Sequence, residues 1–274
     1  MVNALAVGAV SLATLVVLTP LVMILGTVII HGMAGVNWSF FTQIPKPVGE
    51  AGGGMANAIV GSAMILLVAS AIGIPLGVGA GIFLAEYGRN FYGNIVRFTS
   101  DVLNGIPSIV IGITAYALVV LKQGHFSLLA GGIALGIMMV PTVCRTTEEV
   151  LLMVPQSIRE AALGLGIPQW RTTLSVVVRT ATAGIVTSIM LAFARVAGET
   201  APLLFTSLNN SFWNWKLSEQ TASMPMQIFV YSISAYDDWI QKAWTGAMVL
   251  IAMIIFTVIL VRFVTNRGML KGAR

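Results

Sequence analysis

The sequence predicts an all-α polytopic membrane protein with six transmembrane helices, and three observations carry that prediction. Hydrophobic residues make up 57% of the 274 positions and charged residues only 9%, against about a quarter charged in ordinary soluble domains. The apolar residues gather into six runs, each near the roughly 17 to 25 residues that a helix needs to cross the hydrocarbon layer. The basic residues fall between those runs and crowd into alternate connections, as a topology signal does. A soluble chain of this length must cover its core with polar surface, and this one lacks the charge to do so. Its mean hydropathy of +0.91 reflects segments whose solvent is lipid.

The first run covers about Ala4–Ile30. It starts almost at Met1, with no basic stretch before it and no small-residue cleavage site after it, and so reads as a retained transmembrane helix rather than a signal peptide. With the connection that follows, it forms an N-terminal region, 1–55. The second run, about Ala56–Leu84, carries Gly73, Gly77, Gly79 and Gly81. The first, second and fourth of these recur every four residues and form a smooth stripe that lets another helix approach closely. Pro75, between them, can kink the helix. The remaining runs cover about Val102–Leu121, Ser127–Val143, Ala181–Phe205 and Trp244–Val264. The stretch 56–265 reads as the transmembrane domain and 266–274 as a tail.

Orientation follows from the basic residues. Arg89, Arg97, Arg145, Arg159, Arg171 and Arg179, with Arg262, Arg267, Lys271 and Arg274 of the last helix and tail, fall on one side, against Lys46, Lys122, Lys216 and Lys242 on the other. The richer side is expected to be cytoplasmic, which places both termini there. Trp213, Trp215, Trp239 and Trp244 flank the last outer connection, where amphipathic rings favour the interface.

Several function classes find no support. The net charge of +5 is spread between apolar runs rather than gathered into a patch for nucleic acid. The glycines of the second run are followed by no Lys-Ser or Lys-Thr and preceded by no strand, so neither a phosphate loop nor a dinucleotide fingerprint is present. Cys144 is the only cysteine, and His31 and His125 both read as loop residues, which leaves no set for a structural zinc site. No His-Glu-x-x-His and no Ser-His arrangement supports an intramembrane protease. A self-contained secondary transporter would need repeated halves with broken helices, and no convincing repeat is found.

The connection from Arg145 to Thr180 is too patterned for a plain linker. Pro155-Gln156-Ser157-Ile158-Arg159-Glu160 reads as a helix start, with Ser157 capping and Glu160 reaching back in a capping box. Gly164 and Gly166 supply a turn, and Pro168 suits the first position of a second short helix carrying Trp170 and Arg171. The result is an exposed helix–turn–helix with small and apolar residues at its tip, a surface suited to a partner. Glu148 and Glu149, which open the connection, read as surface charges, and Asp101 as a solvated cap.

Glu160-Ala161-Ala162, three residues, then Gly166 resembles the EAA loop of ABC-importer permeases. Val176 and Val178 match that motif's apolar positions, and Arg179 stands where the family usually has proline. Leu103-Asn104-Gly105-Ile106-Pro107-Ser108-Ile109-Val110 and Arg195-Val196-Ala197-Gly198-Glu199-Thr200-Ala201-Pro202-Leu203 are similar to stretches of the phosphate permeases of PstA type, a likeness that covers nearly the whole chain. The resemblance implies the type I ABC importer (MetI-like) permease fold, with 155–180 as the EAA coupling loop and Glu160, Ala161, Ala162 and Gly166 as its ATPase-coupling residues. It also implies a second permease subunit (PstC-type), two ATPase subunits (PstB-type) and an extracytoplasmic phosphate-binding protein (PstS-type). No cofactor is expected on this chain, with ATP and magnesium used by the ATPases. Sulfate and molybdate are imported by similar permeases and remain alternative substrates.

Arg195 and Glu199 lie inside an apolar run, where a central charge costs about 2.5 to 3.5 kcal/mol on insertion scales. Four residues apart on a helix, they share a face and can pair. One reading is a structural ion pair; the other places both on the translocation route, with Arg195 offering a forked donor to a passing phosphate. Thr200, beside Glu199, joins the candidate pathway. Asn104 and Ser108 near Pro107 can serve the substrate or bond carbonyls freed by the proline.

Overall fold

The computed structural model describes residues 2–50 and 52–272, with side chains over 6–50 and 52–265. Arg274 of the expected basic tail lies outside the described residues, and Arg267 and Lys271 outside the described side chains. Every regular element among the described residues is helical. In chain order they are α1 (Val2–Ala34), α2 (Trp38–Thr42), α3 (Ala56–Tyr87), α4 (Phe91–Gly105), α5 (Ser108–Ala115), α6 (Leu121–Gln123), α7 (Leu128–Leu152), α8 (Gln156–Gly164), α9 (Gln169–Thr172), α10 (Val178–Ala197), α11 (Ala201–Leu204), α12 (Met224–Ser232) and α13 (Asp237–Gly272). Single π-helical turns, Tyr116–Val120 and Thr173–Val177, join α5 to α6 and α9 to α10.

Among the described residues, five helices are long and apolar enough to cross a membrane: Ala6–Ala34, Ala56–Tyr87, Leu128–Leu152, Gln169–Ala197 and Asp237–Thr265. A sixth crossing comes from Phe91–Gly105 and Ser108–Gln123 counted together, a pair bent by 104°. This corrects the single span expected over Val102–Leu121. Pro107 offers no N–H and pushes the residue before it out of the helical region, and Ile106 is extended at φ −72°, ψ 133°. The chain restarts as α5 immediately after the proline.

α7 is the centre of the bundle. Two thirds of its most apolar stretch is buried (67%), against 6% in α1 and in α13. Its main partner is α3, which runs parallel to it, and the glycine stripe of α3 makes the seam. A Cβ at Gly73 would stand 2.7 Å from Met139 Cβ, one at Gly77 2.6 Å from Val143 Cβ, and one at Gly81 2.7 Å from Thr147 Cβ. Gly79, off the stripe, faces nothing within 4 Å. α3 runs through Pro75 as one element. Between helices that lack a hydrophobic drive, such backbone approach is what dispersion contacts need. Around this seam lies the main apolar cluster, which includes Ile65, Leu135, Met139, Val143, Val196 and Leu203.

A second cluster closes the α2 end, where Phe40, Met55, Met224 and Tyr231 meet Val249 of α13. A third lies at the opposite end, beside the α8–α9 hairpin, with Leu151, Val154, Val177 and Ile185. His31 is not a loop residue: it belongs to α1, its ring 5.1 Å from that of Trp244. His125 does lie in a connection.

The helix expected over Ala181–Phe205 is shifted. Helical structure begins at Gln169 and stops at Ala197. Arg179, placed where the family usually has proline, keeps its N–H, and the chain stays helical through it. Beyond Ala197, Gly198 caps the helix and Pro202 opens the short α11.

Candidate functional site

The last turn of α10 places Arg195 two residues before the helix ends, where the carbonyl end of the dipole favours a cation. Ala192, Val196 and Ala197 are buried, whereas Arg195 is exposed. Its Nη1 reaches the hydroxyl of Thr142 on α7 at 3.5 Å. That hydroxyl in turn donates to Oδ1 of Asn104, near the end of α4, at 2.9 Å. The structure thus brings two expected pathway residues, Arg195 and Asn104, to either side of a threonine that sequence reading passed over.

Glu199 stands apart from this group. It follows the helix terminus, with its N–H donating to Val196 O at 3.2 Å, so it does not share a helical face with Arg195. Among the described residues no ion pair joins the two. This corrects the expected pairing, and the reason is local: Gly198 ends the helix one residue too early for an i, i+4 contact. Glu199, Thr200 and Ser108 are each half-buried, and no side-chain hydrogen bond links them to Arg195 or Asn104. The two stretches that carried the resemblance nonetheless pack closely. A Cβ on Gly112 of α5 would meet Pro202 Cα at 2.7 Å, and Ile106, Ile111, Val196 and Leu203 share one cluster.

At the hairpin end the charges are tightly paired. Glu148 is 2% exposed and accepts from Arg97 Nε and Arg145 Nη1, both at 2.6 Å. Arg145 also meets Asp101 at 2.9 Å. Arg97 donates further to the carbonyls of Gly88 (2.8 Å) and Leu84 (3.0 Å), closing the last turn of α3. Glu148 is therefore a buried anchor and not a surface charge, because two arginines replace its water. Glu149 is exposed, as expected. Asp101 is exposed but is a partner of Arg145 and not a cap.

Arg159 on α8 makes a parallel anchor. Its Nη2 and Nε donate to Glu86 Oε1 at 2.8 and 3.1 Å, and it also reaches the carbonyls of Leu151 and Val154. One guanidinium so ties the ends of α3 and α7 to the hairpin. α8 starts after Pro155, which caps it without a side-chain hydrogen bond. Ser157 lies inside the helix, so the capping box does not form: with Pro155 as the cap, the helix starts at Gln156, two residues earlier than a Ser157 cap would start it. The turn after α8 is better defined. Gly166 has φ +76°, its N–H donates to Leu163 O at 2.9 Å, and Ile167 N–H donates to Ala162 O at 3.2 Å. This is the Schellman ending, which calls for glycine at the left-handed position. Ala162 is buried beneath it, whereas Glu160, Ala161, Leu165 and Trp170 are exposed. Glu86, Arg89, Val154, Arg159 and Gln169 help to line a groove of about 650 Å³ beside the hairpin.

Glu86 and Arg97, like Thr142, carry no local motif. Only the Arg145–Glu148 pair was readable, as opposite charges at i, i+3 on one helix. Thr142 offered one signal, a hydroxyl next to Pro141 within an apolar run.

Comparison with known proteins places this arrangement. The family model described as "Binding-protein-dependent transport system inner membrane component" matches residues 77–269. The "Phosphate transport system permease protein PstA" of Yersinia pestis is 45% identical over 245 residues, 89% of this chain and 83% of that one. Its namesake from Haemophilus influenzae is 43% identical, covering 89% and 87%. "Phosphate transport system permease protein PstA 1" of Mycobacterium tuberculosis (strain H37Rv) is 34% identical, covering 92% and 84%. A chain of the inward-facing MetNI methionine ABC transporter superposes with a TM-score of 0.60 at 16% identity, over 79% of this chain and 95% of that one. That likeness shows the fold alone.

Proposed function

The chain belongs to the family of binding-protein-dependent transport system inner membrane components, and from that premise we propose that it is the PstA-type permease subunit of an ATP-driven phosphate importer. The observation that carries this reading is the 45% identity to a phosphate transport permease over 89% of the chain. It is a multi-pass inner-membrane protein with no catalytic step of its own. A second permease pairs with it, two ATPase subunits dock on the α8–α9 hairpin, and an extracytoplasmic phosphate-binding protein delivers the anion. ATP and magnesium act in the ATPases. Both termini are assigned to the cytoplasm, residues 1–55 to the first helix and outer connection, 56–265 to the pathway domain with its coupling loop at 155–180, and 266–274 to the tail.

Arg195 is the pathway's anion contact. A guanidinium is always charged and presents a fork that matches phosphate oxygens, and among the described residues no carboxylate pairs with this one. Asn104, Ser108, Glu199 and Thr200 complete the polar lining. Closure of the ATPases on ATP pushes the hairpin, through Glu160, Ala161, Ala162 and Gly166, and Arg159 passes the movement to α3 and α7. The switch is a change between discrete packings. The test is ATP hydrolysis by the assembled complex with its binding protein: phosphate should stimulate it, and stimulation by sulfate or molybdate in its place would move the chain to another oxyanion.

A further inference from the structure

We propose that Thr142 is a positioning residue for transport, its hydroxyl oriented by Asn104 so that only its lone pairs face Arg195. The inference rests on the reading of Arg195 as the anion contact.

Threonines in apolar helices ordinarily give their hydroxyl proton to their own backbone. In this chain Thr14, Thr19, Thr27, Thr146, Thr187 and Thr257 all donate to the carbonyl four residues earlier, at 2.8 to 2.9 Å. Thr142 does not. Its proton crosses to Asn104 Oδ1 on another helix at 2.9 Å. A hydroxyl has one proton and two lone pairs, so with the proton committed to Asn104 it can only accept from Arg195. The contact at 3.5 Å is long, and its acceptor is neutral. It steers the guanidinium without cancelling its charge, whereas the carboxylates at the hairpin end sit 2.6 to 2.9 Å from their arginines. Thr142 also lies where three elements meet: the end of α4 before the Pro107 break, the central α7, and the last turn of α10. A shift of α4 that withdraws Asn104 frees the hydroxyl to back-bond within α7, and Arg195 loses its guide. The aim of the anion contact thereby follows the position of α4.

The experiment measures phosphate uptake per assembled complex, with all partner subunits present and complex level determined alongside. Thr142→Val keeps the shape and removes the hydroxyl; uptake should fall about tenfold, the scale of one hydrogen bond to a charged group. Thr142→Ser should restore it to within about twofold, since the same proton and lone pairs return. Thr142→Asp should abolish uptake with normal assembly, because a carboxylate there pairs with Arg195 and removes its charge from the route. Wild-type uptake in Thr142→Val or Thr142→Asp, alongside loss in Arg195→Gln, overturns the positioning role and leaves the pathway intact. Full uptake in Arg195→Gln overturns both. Should Thr142→Val assemble poorly, the contrast between Thr142→Ser and Thr142→Asp decides alone, since both keep a polar group at the site.

Discussion

The arginines of this protein fall into two settings within one bundle. At the hairpin end Arg97, Arg145 and Arg159 are saturated: each meets a carboxylate at 2.6 to 2.9 Å, and Arg97 and Arg159 also bond carbonyls that close helix ends. In mid-bundle Arg195 meets a neutral hydroxyl at 3.5 Å, and among the described residues it has no carboxylate partner. The contrast separates two uses of one side chain. A saturated guanidinium fixes geometry, since its donors are spent and its charge is balanced. An unsaturated one stores binding capacity, and in an apolar run that capacity has value only if something anionic arrives.

Perturbing each setting should break different things. The largest loss of folded protein is expected from Glu148→Gln, which leaves Arg97 and Arg145 without their shared buried carboxylate; about 3 kcal/mol of stability should go, seen as a lower level of folded protein in membranes and a lower thermal midpoint. Arg195→Gln should do the reverse, with stability within about 0.5 kcal/mol of the parent and uptake down about a hundredfold, some 2.7 kcal/mol of lost transition-state stabilisation. A collapse in stability there would erase the distinction between the settings. Gly166→Leu forces a side chain into a left-handed conformation at a cost of about 1 to 2 kcal/mol, although nothing within 4 Å obstructs its Cβ. Phosphate-stimulated ATP hydrolysis should weaken while total protein changes little. The smallest effect belongs to Asp101→Asn. Its carboxylate is 57% exposed, so losing the pair with Arg145 should cost less than about 1 kcal/mol, with uptake near that of the parent. A large effect would mean that the hairpin-end network acts as one unit.

Sequence reading reached what is periodic and local. The spacing of Gly73, Gly77 and Gly81 required only that α3 be a helix, and the seam with α7 follows. Gly166 was placed in a turn, although its left-handed φ emerges only with the Schellman hydrogen bonds around it. Misreadings arose where a helix ended. The i, i+4 relation of Arg195 and Glu199 assumed a helix that Gly198 terminates, and the capping box assumed a start that Pro155 moved forward. Pro107 was recognised in an apolar run, but a bend of 104° depends on where α4 can pack. Contacts between distant helices, such as Glu86 with Arg159 or Asn104 with Thr142, have no signature along the chain. Thr142 went unremarked because a threonine in an apolar helix usually satisfies itself.

The seam between α3 and α7 also constrains how the molecule can change shape. Its glycine positions receive side chains with no clearance, alternating along both helices, since Gly132 and Gly136 of α7 take Val68 and Ile72 of α3 in return. Sliding one helix along the other would lift each side chain out of its notch and onto the next backbone ridge, like a rack forced past its pinion teeth. The two helices are therefore interlocked as one girder, built to move together rather than to slide past each other. The bending is left to joints outside the girder: the break at Ile106–Pro107 and the turn at Gly198.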